Sequence, residues 1–261
     1  MKKSPPPSLA VFDEQIRRNA QPSTPGTRAE WDATILRHVN PDSDGECSVI
    51  WSELDAATAD DAIAAQVAYF SRLGRSFEWK YHRHDGPSNL PERLVAAGFE
   101  AGEPESVMVA NAADIAIDVI LPESIRIETI TDAAGIARMV ALHDQVFGES
   151  RPDFGESLLA QLTDSPDSMV PLLVLDGDRP VCSARIEFHR GTEFASLWGG
   201  GTLESHRGRG IYRALVAHRA RLAVDRSIRY LHVDAMPDSR PILERLGFIE
   251  LTTTTPYIKS V

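Results

Sequence analysis

The 261-residue chain has only two cysteines, Cys47 and Cys182. They are too few and too far apart for a disulfide framework or a zinc site, and no metal is expected. No apolar run approaches the roughly 18–20 residues that a membrane helix needs. The charged start Met1-Lys2-Lys3 has no apolar stretch behind it, so no secretory signal is visible. A reduced, cytoplasmic compartment without a membrane partner is the expectation. Positive charge is also short: the formal net charge of −11 argues against a general nucleic-acid binder. Also missing are the Gly-x-x-x-x-Gly-Lys-Ser/Thr of a phosphate loop and the Gly-x-Gly-x-x-Gly of a dinucleotide fold. Without them, or paired metal-binding carboxylates, nucleotide phosphotransfer has no support.

What remains is ordinary for a soluble globular protein, with 43% hydrophobic and 25% charged residues. Length alone predicts one large or two small domains. The acidity is uneven: residues 1–124 carry 11 basic and 20 acidic side chains, and the remainder is nearly balanced. The second half holds an arginine-dense stretch, Arg207, Arg209, Arg213, Arg219, Arg221, Arg226 and Arg229, with Asp225 the only acid among them. Read by charge alone, it is a solvated helix face.

Periodicity and turn residues predict a mixed α/β fold. Residues 1–27 are read as a mobile lead segment. In residues 28–124 a strand is expected at 46–51, a helix at 58–73 opening on Thr58-x-x-Asp61 and closing at Gly74, a strand at 76–82, a helix at 90–97 and a strand at 106–110. The run Phe77-Glu78-Trp79-Lys80-Tyr81-His82 alternates as a core strand does, which suits it less to a nucleic-acid surface. Residues 111–124 are the expected junction. In 125–261 the elements are a strand at 125–130, a helix at 132–147, a helical piece near 156–162, a hairpin of 170–175 with 181–189, and a strand at 194–203. A glycine turn then leads into a helix ending near 224, followed by a strand at 229–234, a helix at 239–246 and a terminal strand at 249–258.

The chain also repeats itself. An offset of 149 aligns Gly98-Phe99 with Gly247-Phe248 and, without gaps over residues 58–99, gives ten identities that include Tyr81/Tyr230, Asp85/Asp234 and Leu94/Leu243. That is more than shared composition produces, and it points to duplication.

The residues with the clearest chemistry are Trp198-Gly199-Gly200-Gly201-Thr202-Leu203-Glu204-Ser205-His206-Arg207-Gly208-Arg209-Gly210-Ile211-Tyr212. A strand loses its side chains at three glycines, and a tight turn then feeds a helix. Glycines permit positive φ and close approach. The unsatisfied N–H groups of a helix's first turn, with its dipole, attract an anion, and arginines add forked donors suited to phosphate. Strand, turn and helix together make a pyrophosphate cradle.

At these residues the sequence resembles the GNAT superfamily of acyl-CoA-dependent N-acyltransferases. The family's loop reads Arg/Gln-x-x-Gly-x-Gly/Ala, and His206-Arg207-Gly208-Arg209-Gly210-Ile211 fits its Arg-Gly-x-Gly variant, one residue short if Arg207 opens it. The following helix, the strand around Tyr230–Asp234, and Pro241-Ile242-Leu243-Glu244-Arg245-Leu246-Gly247-Phe248 resemble the family's closing elements. The resemblance covers residues 125–261 and implies a GNAT fold with a complete catalytic domain there. It implies acetyl-CoA as co-substrate, wedged where two parallel strands splay. Gly201, Thr202 and Leu203 would meet the pantetheine arm, and Arg207, Gly208, Arg209, Gly210, Ile211 and Tyr212 the pyrophosphate. The expected reaction is transfer of an acetyl group to a primary amine of a small molecule or peptide.

Many family members carry a proton-donating Tyr where this chain has Leu243. For a base, Glu187 is the first candidate, on a strand face with Arg185 and His189; Glu204 is the second, and a structural Glu187 paired with Arg185 is the competing expectation. Tyr257 is a further group able to handle a proton, while His143 and His232 are read as structural. Under the 149 offset, Arg207–Gly210 fall on Thr58-Ala59-Asp60-Asp61. Carboxylates there satisfy the helix dipole and repel phosphate, so residues 28–124 read as a degenerate GNAT-like domain that does not bind CoA. The alternative to an enzyme is a CoA-binding or interaction module that has lost catalysis.

Overall fold

The computed structural model describes residues 5–42, 45–116, 121–148 and 152–260, with side chains from residue 154 in the last segment. Residues 1–4 of the expected mobile segment, 117–120 of the expected junction and 149–151 lie outside the described residues. The chain divides into two units, and neither is a single stretch of sequence.

One unit comprises residues 8–107 with 234–238 and 250–260. Its strands β1 (Arg28–Asp32), β2 (Ile35–Val39), β3 (Ser48–Ser52), β4 (Phe77–His82) and β12 (Ile249–Lys259) lie in that order, and the short β5 (Glu100–Ala101) pairs with β12. Only β3 and β4 run parallel. Helices α2 (Ala59–Leu73) and α3 (Leu90–Ala96) supply Ile63, Phe70, Leu90 and Leu94 to a core with Phe77, Trp79, Phe99 and Tyr257. The alternation read in Phe77–His82 is that of a half-buried strand: Phe77 and Trp79 are buried, and Phe77 stacks on Phe70 with ring centres 4.2 Å apart.

Within residues 1–27, Leu9–Phe12 (α1) and a following π-helical stretch, Asp13–Arg18, form a helix that no sequence signal announced. It is held by Arg17, whose guanidinium meets both carboxylate oxygens of Asp85 at 2.8 Å and lies 4.9 Å from the centre of the Trp51 ring. Helix α2 ends as expected at Gly74, with φ +64°, but its start differs from the expected cap. Thr58 makes no side-chain bond to the helix; the carboxylate of Asp55 accepts the N–H groups of Ala57 and Thr58, each at 2.9 Å.

The other unit comprises Met108–Val233 and Ser239–Ile249, with residues 5–7 of the lead segment. Its strands β7 (Ile125–Thr129), β8 (Met169–Asp176), β9 (Arg179–Phe188), β10 (Phe194–Thr202) and β11 (Tyr230–Ala235) follow one another, all antiparallel except the parallel pair β10–β11. Strand β6 (Glu105–Asn111) has its first three residues in the first unit and Met108–Asn111 in this one. Helix α4 (Ala133–Phe147) opens on Asp132, which accepts the N–H of Gly135 at 2.8 Å, and closes at Gly148 with φ +73°. Helices α4 and α5 (Pro152–Asp164) contribute Ile136, Met139, Leu142 and Leu158 to a core with Met169, Leu173 and Leu175.

The duplicated pattern is present as elements. Helix–strand–helix runs α2-β4-α3 in the first half and α6 (Ile211–Asp225), β11, α7 (Arg240–Arg245) in the second. The first helices start 152 residues apart, the strands 153 and the second helices 150, so the ungapped offset of 149 fits the second helices and slips by about three residues between the strand and the second helix. With the helix starts aligned, Arg207–Gly210 fall on Asp55–Thr58. No helix of the described residues is long and apolar enough to cross a membrane.

Candidate active site

Strand β10 pairs in parallel with β11 over only three residues, Phe194–Ser196 against Tyr230–His232, although both strands continue further. Just beyond that stretch its ladder to β9 is interrupted: Trp198 faces Arg185 and Gly201 faces Ser183, so Gly199 and Gly200 together oppose Ala184. This is a β-bulge, which frees backbone groups from the ladder. Gly199 takes φ +63°, which only glycine adopts without strain. The next two glycines serve packing. A Cβ on Gly200 would come within 2.8 Å of the Tyr212 ring, and one on Gly201 within 2.8 Å of Phe147. The two positions face opposite sides, toward α6 and α4.

Beyond Thr202 the chain passes through a short 3-10 turn, Glu204–His206, into the glycine turn. Gly208 and Gly210 have φ of +76° and +83°. The space beside Gly208 is open, with no atom within 4 Å of a Cβ built there. No side chain caps α6, which leaves the first N–H groups of the helix without a side-chain acceptor. Arg207 and Arg209 flank Gly208, and Arg207 Nε donates to the carbonyl of Thr202 at 3.2 Å. An open, positively charged turn before an uncapped helix fits a phosphate group. By contrast, the matching turn before α2 is already filled by the Asp55 carboxylate.

Arg209 is not a free cation. It pairs with Asp176 at the end of β8 at 3.0 Å, and His206 Nε2 lies 3.3 Å from the same oxygen. Hydrogen bonding from Ser124 first, then from Arg209, holds the Asp176 carboxyl below its ordinary range. Sequence reasoning missed Asp176, because nothing in the Asp176-Gly177-Asp178 turn signals a contact more than thirty residues away. Thr202 donates to Cys182 Sγ at 3.1 Å, and burial pushes that thiol up to about 11, leaving it protonated near neutral pH.

A second polar group lies on the face shared by β9, β10 and β11. Glu187 is buried, and Arg185 Nε donates to its Oε1 at 2.6 Å; Oε2 accepts no hydrogen bond from the described residues. Beside it, the Ser196 hydroxyl accepts from Trp198 Nε1 at 2.7 Å and lies 2.9 Å from His189 Nε2. His189 and His232 stack with ring centres 5.5 Å apart. Burial holds the His189 imidazole below its ordinary value, which favours the neutral form. His232 lies within β11, and His143 packs on Phe147 and Phe154.

The remaining candidates fall elsewhere. Glu204 is exposed in the 3-10 turn. Leu243 is fully buried in α7, as Leu94 is in α3, so that position serves packing in both halves. Tyr257 lies across from Trp79 in the core of the other unit, where β12 pairs with β4, and its ring meets Tyr81 edge-on. Among the described residues, no group of three His, Cys, Asp or Glu side chains is placed to hold a metal ion.

Residues 136–248 match the family model described as the acetyltransferase (GNAT) family. No curated protein matches the chain. Among solved structures it is similar to a GCN5-related N-acetyltransferase from Kribbella flavida, at 15% identity over 90% of each chain with a TM-score of 0.69. It is similar also to a functionally unknown conserved protein from Staphylococcus epidermidis, at 14% identity over 95% of this chain and 97% of that one with a TM-score of 0.68. A tandem GNAT protein from the clavulanic acid biosynthesis pathway is a third, at 11% identity over 96% of this chain and 92% of that one with a TM-score of 0.65. At these identities the likeness is one of fold, and it extends over both halves. The splayed strand, the glycine turn and α6 all lie within the matched segment, and residues 136–248 are a domain of the GNAT acetyltransferase family.

Proposed function

We propose that the protein is an acetyl-CoA-dependent N-acetyltransferase with one working site, acting on a primary amine of a small molecule or peptide. The observation that carries this reading is the join of two features: β10 leaves β11 after three paired residues, and one 3-10 turn leads from it into an open glycine turn before the uncapped α6. In this reading Gly201, Thr202 and Leu203 offer backbone groups to the pantetheine arm. Arg207, Gly208, Arg209, Gly210 and the N–H groups of Ile211 and Tyr212 take the pyrophosphate. Residues 125–261 then supply the catalytic domain. Residues 28–124 form a degenerate GNAT-like domain, in which the turn before α2 closes on its own carboxylate, Asp55. A cytoplasmic location suits the two free, buried cysteines.

Acetyl transfer needs a neutral amine and a place for its proton. Glu187 is the proposed acceptor: Arg185 fixes one oxygen and leaves Oε2 for an amine or an intervening water. Glu204 is the second choice. Leu243 has no proton to give, so the thiolate leaves unassisted by that position. The same residue favours a second reading, a CoA-binding module without catalysis.

Incubating the protein with acetyl-CoA and a panel of amines, with free thiol measured, separates the two readings. Amine-dependent thiol release is the expected result. Acetyl-CoA binding without release for any aliphatic, sugar or peptide amine would favour the module.

A further inference from the structure

Helix α6 carries a charge that its sequence pattern would place in water and the fold does not. Arg219 is 1% exposed, and no carboxylate among the described residues lies within ion-pair range of it. Burial draws its guanidinium below the ordinary range. Removing an unpaired cation from water is costly, and an apolar side chain of similar volume would fill the site more cheaply. The guanidinium must therefore provide something that methionine or leucine cannot.

Its contacts show what that is. Nε donates to Leu215 O on its own helix at 3.3 Å, while Nη1 reaches Arg185 O at 3.2 Å and Trp198 O at 3.5 Å. Arg185 and Trp198 are the facing pair at which the β9–β10 ladder breaks. One nitrogen thus bridges the two strands where the bulge begins. The segment beyond, Gly199-Gly200-Gly201, has no side chains of its own to anchor it, and glycine loses more backbone freedom on ordering than any other residue. Tyr212, seven residues earlier on α6, lies against Gly200. The bulge is held from α6 at two points, one polar and one aromatic.

We propose that Arg219 is a positioning residue, which fixes the β10 bulge and so the backbone groups that receive the acyl end of acetyl-CoA. This rests on the CoA reading above, and the test keeps the two apart. Calorimetry on the whole chain compares acetyl-CoA with adenosine 3′,5′-bisphosphate, which carries the nucleotide end of the cofactor but neither pantetheine nor acetyl group.

Arg219→Met is expected to weaken acetyl-CoA at least tenfold and to leave the bisphosphate within about twofold, because the glycine turn is untouched. Arg219→Lys, which keeps the charge and can reach one carbonyl, is expected to fall between Arg219→Met and wild type. It also serves as the test if the methionine variant does not fold. Equal losses for both ligands, in step with a lower melting temperature, would show a purely structural arginine and overturn the proposal. So would unchanged acetyl-CoA affinity in the folded variants. If the wild-type protein bound neither ligand, the CoA reading itself would fall.

Discussion

Gly208→Val is expected to abolish acetyl-CoA binding while the protein stays folded. The backbone at Gly208 has φ +76°, where a β-branched residue is strained by about 1–2 kcal/mol. A Cβ there meets no protein atom within 4 Å, so the fold itself has room for the side chain. The space it would take is the space assigned to the pyrophosphate. Losing one or two charge-assisted phosphate contacts, each worth about 1.5–3 kcal/mol, lowers affinity by roughly 10- to 10⁴-fold. Gly210→Val, at φ +83° on the threshold of α6, is expected to act in the same way.

Gly191→Val is the matched control, with φ +77° and an equally open Cβ position in the turn between β9 and β10. All three variants should lose similar stability, and only the first two should lose the ligand. If Gly208→Val bound acetyl-CoA as well as Gly191→Val does, the phosphates would have to sit elsewhere.

Glu187→Gln is expected to lower kcat by roughly 10²–10⁴-fold, the usual range for a general base. The amide keeps the acceptor for Arg185 Nε but loses the charge and the ability to take a proton. Acetyl-CoA affinity should change little, since the proposed role of Glu187 is toward the amine and not the cofactor. Part of the lost rate should return at high pH, where more of the amine is already neutral. A Glu187 that only balances Arg185 would give the reverse pattern: a lower melting temperature with most specific activity kept. Measuring both on one preparation tells them apart, and an unchanged kcat would transfer the role to Glu204 or to water.

The elements that the sequence revealed are those whose signals are local. Period-two alternation marked β4, glycine stops marked the ends of α2, α3 and α7, and the glycine turn marked the start of α6. What stayed hidden depends on partners far along the chain. The β1–β2 hairpin turns at Ala33-Thr34, with Ala33 at φ +52°, and so lacks the glycine or asparagine that normally betrays such a turn. Its first strand is largely exposed and reads as a polar loop. The pairing of β12 with β4 joins the last strand to a partner more than 170 residues earlier, which no local pattern encodes.

The site was legible to the same degree. The positive-φ turn was readable from glycine spacing, whereas the pairing of Arg209 with Asp176 and the burial of Arg219 were not, because charge pattern alone assigns arginines to solvent. The repeat was visible through Leu94/Leu243 and Gly-Phe, all core or cap positions. Its slip of about three residues falls between the strand and the second helix, so Tyr81/Tyr230 and Asp85/Asp234 align in sequence and not in structure.

The proposed function requires a single acetyl-CoA site per chain, held by the turn before α6. Titrating acetyl-CoA into the intact protein in a calorimeter tests it most directly, with Arg207→Ala/Arg209→Ala measured alongside. The account predicts a stoichiometry near one and a severe loss of affinity in the double variant. A stoichiometry near two, or a double variant that binds as tightly as wild type, would contradict it.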